Sequence, residues 1–121
     1  MWQNLGALDK TATNSAVSNN SPATGSTAGL TQSDDVIFCS LSTNTTNAGG
    51  TFPPTGGPGV FTALTHTTLV DLNYQAIVAS NAAVSASWGT TSGTPNWAAV
   101  IATYLSSNPA ATLPIMGQIC T

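Results

Sequence analysis

The nine residues Asp35–Thr43, DVIFCSLST, constrain the fold more than any other part of the chain. In an extended strand Val36 and Phe38 face one way, and Ile37, Cys39 and Leu41 face the other. Apolar residues on both faces predict a strand covered on both sides. Two-residue alternation with Thr, Val, Ile and aromatic residues recurs along the chain, punctuated by Gly, Pro, Asn and Ser. That is the pattern of short strands in an all-β sandwich. A length of 121 residues suits one domain of this kind.

Other segments follow the same logic. Residues 1–9 read as the end of a strand entering a turn. Residues 10–34 are small and polar, with a turn at Asn19-Asn20-Ser21-Pro22 and a strand around Ser26–Thr31. Thr43–Gly59 is a long loop whose glycines and prolines preclude continuous ladder pairing. Val60–Leu64 resumes as a strand. Thr68–Ala79 alternates so that Leu72, Tyr74, Ala76 and Val78 point inward and Asp71, Asn73 and Gln75 point out. A turn at Asn81-Ala82 would then join it in a hairpin to Val84–Trp88, where Val84, Ala86 and Trp88 share a face. Trp97–Leu105 (WAAVIATYL) is a further strand. The sandwich domain is expected over residues 1–105, with an irregular tail over 106–121 that carries Pro109 and Pro114.

Charge narrows the function. Asp9, Asp34, Asp35 and Asp71 are the only acids and Lys10 the only base, so charged residues make up 4% of the chain against 41% hydrophobic. One cation cannot neutralise a run of phosphates, which argues against nucleic-acid binding and polybasic membrane docking. No apolar stretch approaches a bilayer span, so membrane insertion is not expected. Hydroxyls and amides carry the polarity instead, and such surfaces suit secreted, cell-surface or virion proteins that pack side by side. Met1-Trp2-Gln3-Asn4 has no basic start and no apolar segment follows, which reads as a processed fragment or a chain delivered inside a larger assembly.

Three segments resemble jelly-roll or concanavalin-like β-sandwich modules of uncharacterised bacterial secreted, envelope and phage-associated proteins. They are Leu8-Asp9-Lys10-Thr11-Ala12, then Thr31–Ile37 (TQSDDVI), then Leu72–Val78 (LNYQAIV) followed by Val84–Trp88. Trp97–Tyr104 is similar to the last strand of such a module. In those proteins the Leu-Asp-Lys-Thr-Ala segment lies near mid-module, so the chain resembles the second half of a sandwich. The resemblance implies a jelly-roll type of antiparallel sandwich, incomplete and completed by self-association. It implies no catalytic residue and no cofactor.

Candidate residues follow from chemistry. Cys39 and Cys120 are compatible with one disulfide, or with two buried thiols. His66 is the sole imidazole, and with Ser and Thr abundant it defines no catalytic arrangement, so an enzyme is not expected. Asp34-Asp35 reads as a turn ahead of the core strand rather than a metal site, because adjacent acids on a strand diverge. Asp9-Lys10 reads as a local ion pair. Trp88 and Trp97 are assigned to the core. Trp2, Leu5 and Leu8 are candidate donors to a neighbouring copy, and Phe52 in the long loop is expected to pack on a neighbour rather than on its own core. Trp2, Tyr74 and Tyr104 are the candidates for stacking on a sugar. The leading expectation is a non-catalytic structural protein of a virion, extracellular filament or cell surface whose partners are copies of itself. An extracellular carbohydrate-binding or adhesive module, with polysaccharide as partner, is the alternative.

Overall fold

The computed structural model describes residues 5–45, 50–67, 69–76 and 80–106. Among them the chain is all-β, as the alternation predicts. The strands are β1 (Leu5–Ala16), β2 (Val36–Thr43), β3 (Thr62–His66), β4 (Val70–Ala76) and β5 (Trp97–Ser106). They form one antiparallel sheet in the order β1-β5-β2-β4-β3. The two strands with apolar residues on both faces, β2 and β5, lie inside the sheet with both edges paired, but the described residues build a core on only one of their faces, not on both as the pattern predicts.

One face of this sheet is covered. Ile37, Cys39 and Leu41 of β2 and Trp97, Ala99 and Ile101 of β5 join Leu30, Phe61, Val84, Ala86 and Trp88 in the buried core. The covering layer is three extended segments rather than a regular sheet. Residues 20–30 run antiparallel to 81–91 through Thr24 N to Ala86 O (2.9 Å), Thr27 N to Val84 O (2.9 Å) and Leu30 N to Asn81 O (2.8 Å). Thr55 and Ser87 exchange backbone hydrogen bonds on the other side of the same segment. Two threonines knit the layer further: Thr24 Oγ1 and Thr27 Oγ1 accept from the backbone N–H of Ala86 and Val84. Gly56 makes the closest approach. With φ at 122°, a Cβ there would stand 2.3 Å from the Ser85 carbonyl oxygen, so only glycine fits.

Several local expectations change. β1 is a twelve-residue edge strand that reaches Ala16, where a turn followed by polar coil was expected. Its sequence, LGALDKTATNSA, is held by pairing with β5 rather than by its own apolar pattern. Ser26–Thr31 lies in the covering layer and is not a regular strand. β3 starts at Thr62, two residues after the expected Val60. Val84–Trp88 does not form a hairpin with β4: β4 pairs with β2 and β3, and 84–88 pairs with the segment before Leu30. The largest change is on β4, where Asp71, Asn73 and Gln75 face the covered side and Leu72 and Tyr74 the other. β2 fixes this parity, because buried Leu41, Cys39 and Ile37 stand opposite Asp71, Asn73 and Gln75.

Candidate functional site

Among the described residues the second face of the sheet contributes nothing to the main core cluster, although Val36 on it is buried. Register defines what it presents. Across the rows, Leu8 pairs with Tyr104, Tyr104 with Val36, Phe38 with Ala102 and Tyr74, and Ser40 with Val100 and Leu72. Thr13 stands beside Val100, and Ser15 beside Ala98. This face therefore carries aromatic, aliphatic and hydroxyl side chains and no charged one among the described residues.

Side-chain size divides the face into two parts along the strands. At one end Tyr104, Phe38 and Tyr74, from three neighbouring strands, form a half-buried aromatic ridge; the Phe38 and Tyr104 rings meet edge to face at 6.0 Å and 81°. Toward the other end Ser40, Ser42, Ala98, Thr13 and Ser15 are small, and Val100 stands among them. They leave a shallow groove of about 600 Å³. Apolar side chains are exposed along the face: Leu8, beside Tyr104, is 54% exposed, Val100 in the groove 40%, and Val70, opposite Ser42, 41%.

The charged groups gather elsewhere. At the β1 bulge, Lys10 Nζ donates to Asp9 Oδ1 (2.7 Å) and to Thr31 Oγ1 (2.9 Å), and the Thr31 N–H donates to Asp9 Oδ2 (2.8 Å). The Thr31 hydroxyl also bonds Asp9. Burial pushes the Asp9 carboxyl up, but the bonds from Lys10 and Thr31 outweigh it and hold the group well below the usual carboxylate range. Asp35, fully buried beside it, is pushed up to about 6, first by burial and then by Asp9, against a bond from Thr103. The expected Asp9–Lys10 pair is thus present, and the two adjacent acids Asp34 and Asp35 differ in burial.

A second polar cluster lies on the covered face at the other side of the sheet. Asp71 is fully buried and its Oδ2 accepts from Trp88 Nε1 (2.5 Å) and Asn73 Nδ2 (2.5 Å). His66, at the end of β3 and opposite Asp71 in register, places Nδ1 3.4 Å from Asp71 Oδ1. The Phe52 ring lies against the imidazole at 4.3 Å. Sequence pattern alone missed this cluster, since its members come from positions 52, 66, 71, 73 and 88.

The remaining candidates are placed as follows. Leu5 and Leu8 are about half exposed on β1, already paired with Ser106 and Tyr104 of their own sheet. Tyr74 and Tyr104 share the open face, although Tyr74 was expected to point inward. Phe52 is half-buried and packs on the chain's own core, because the loop that carries it folds back along residues 87–88, where Thr51 N donates to Trp88 O at 2.7 Å. Trp88 and Trp97 are core residues as expected. Cys39 is a free, buried thiol, pushed up to about 12 by burial and then by the charge of Asp71. Cys120 and Trp2 lie outside the described residues, as does the tail beyond Ser106. Among the described residues no group of three His, Cys, Asp or Glu side chains converges, and no helix is long and apolar enough to cross a membrane. No family model, curated protein or solved structure matches the chain.

Proposed function

We propose that this chain is a non-catalytic structural protein that acts by packing against copies of itself, sheet on sheet, through the open face. One observation supports this most: the face is uncharged and holds an aromatic ridge and a small-residue groove side by side. Rotation by a twofold axis that lies in the interface and crosses the strands exchanges the two ends of the face. The Phe38–Tyr104 ridge of one copy then enters the Ser40–Ala98 groove of the other, an isologous and self-complementary contact. Aligned face-to-face packing of two such sheets at about 10 Å gives the second half of a β-sandwich of jelly-roll type. Edge pairing through Leu5 and Leu8 of β1 would extend the pair into a filament or shell. The near absence of charge fits a virion, extracellular filament or cell surface, where neutral neighbours pack densely.

Light scattering on the eluting peak during size exclusion, run over a dilution series, tests the reading. A dimer or larger species that dissociates on dilution is expected; a monomer at every concentration removes the proposal. The alternative, a carbohydrate-binding module, draws on the same ridge, because Tyr74 and Tyr104 flank Phe38 and present aromatic surface to a neutral ligand. Saturation-transfer NMR against neutral polysaccharides separates the two readings.

A further inference from the structure

The covered face holds an unexplained arrangement where β3 and β4 pair. Asp71 is a fully buried carboxylate whose neighbours supply two neutral donors, both directed at Oδ2. Its Oδ1 makes no hydrogen bond, and neither does the Oδ1 of Asn73, which is also fully buried and on the same face of β4. Two other titratable side chains are at hand: the buried thiol of Cys39, opposite Asn73 in register, and His66, whose Nδ1 stands 3.4 Å from Asp71 Oδ1 without hydrogen-bond geometry. A carboxyl oxygen and an amide oxygen that are both buried without a hydrogen-bond partner are costly unless a ligand completes them.

From this geometry we infer that His66, Asp71 and Asn73 bind one divalent transition-metal ion of the Zn²⁺ class. This goes beyond the assembly reading and does not depend on it. Two ligands about 2.0–2.1 Å from one tetrahedral Zn²⁺ stand roughly 3.3 Å apart, close to the separation that His66 and Asp71 already have. A cross-strand pair plus the next residue on the same strand face is a way for an antiparallel sheet to bring three donors together. The supporting contacts are in place too: Trp88 and Asn73 fix Oδ2 of the carboxylate and leave Oδ1 for the ion. One imidazole nitrogen, one carboxylate and one amide oxygen suit a borderline metal better than Ca²⁺, which requires more oxygen ligands. His66 provides the way in, since its side chain is 44% exposed while Asp71 is closed off. Water would fill the remaining position.

The chain has a single histidine, so imidazole resonances report on this site alone in tag-free protein. Titration with Zn²⁺, followed by long-range ¹H–¹⁵N spectra and by calorimetry, should show one ion per chain and a shift of His66 Nδ1, while Ca²⁺ in the same range leaves the spectrum unchanged. His66→Ala, and His66→Gln, which keeps bulk against Phe52, should each weaken Zn²⁺ binding by more than about tenfold, the lower end of what losing even a supporting partner costs. Unshifted His66 resonances at millimolar Zn²⁺, or variants that bind as tightly as the parent, would overturn the assignment.

Discussion

The two faces of the same five strands invert the usual division of labour in an antiparallel sheet. A half-solvated sheet normally turns apolar side chains inward and charged ones out. Here the covered face takes Ile37, Leu41, Trp97 and Ile101 and also the buried acids Asp35 and Asp71, while the open face has aromatic, aliphatic and hydroxyl groups and no charge among the described residues. Asp9 and Lys10 neutralise one another at the β1 bulge, turned toward Thr31 of the covering layer. A face meant for water would profit from charge; a face meant for a copy of itself is harmed by it. The distribution therefore separates a face that holds the fold from a neutral face, the one proposed to meet another copy.

Damage to the covered face should be severe. Trp88 is fully buried, fills the core and donates to Asp71. Trp88→Ala should cost at least about 3–5 kcal/mol from the cavity alone, with the orphaned Asp71 carboxylate adding to it. Urea denaturation followed by far-UV circular dichroism measures the loss.

The neighbouring carboxyls Asp35 and Asp9 give the next largest effect, through pH. Asp35 lies at about 6 against an ordinary 3.8, so between these values the native chain keeps a proton that the unfolded chain has released. Its stabilising contribution is whole below pH 3.8 and is lost as pH rises through about 6. At about 1.4 kcal/mol per pH unit, the loss is at most about 3 kcal/mol. Asp9 works in the opposite sense: its pKa is lowered, so its contribution stands at neutral pH and disappears only in strong acid. Asp35→Asn should thus flatten the decline above pH 4 and raise stability at pH 7.5. Denaturation midpoints across pH 4–8 for both chains test it, and a variant less stable at neutral pH would contradict the raised value.

How much of this was legible depends on where each signal resides. β2 and β5 were readable because VIFCSL and WAAVIATYL carry apolar residues at alternate positions in short runs. β4 was readable as a strand but inverted, because the parity rule sends apolar Leu72 and Tyr74 inward. What reverses it is the pairing with β2, whose buried Leu41, Cys39 and Ile37 stand opposite Asp71, Asn73 and Gln75, while the bond from Trp88, seventeen residues on, offsets part of the cost of Asp71 inside. β1 escaped because TATNSA has no alternation of its own and is defined by its register with β5. The covering layer escaped for a similar reason: residues 24 and 86 meet across most of the domain. On the open face, Tyr74 and Tyr104 were recognisable as stacking candidates, but only register shows that Phe38 joins them in one ridge.

The smallest effect on stability should come from the open face itself. Val100 is 40% exposed in the middle of β5, so Val100→Ser should change monomer unfolding by no more than about 0.5–1 kcal/mol. Thermal melts at low concentration, where copies are apart, would show near coincidence with the parent. A loss comparable to that of Trp88→Ala would mean that this face belongs to the core after all.

The central claim, that the neutral face exists to meet another copy, is tested most directly by placing one charge in its groove. Val100→Lys puts an ammonium group among Thr13, Ser40 and Ala98, where a second sheet would bury it without a partner. Sedimentation velocity on parent and variant at matched high micromolar concentrations reads the outcome. The parent should sediment as a dimer or larger assembly, and the variant as a folded monomer with an unchanged circular dichroism spectrum. A parent that stays monomeric, or a variant that assembles as well as the parent, would contradict the account.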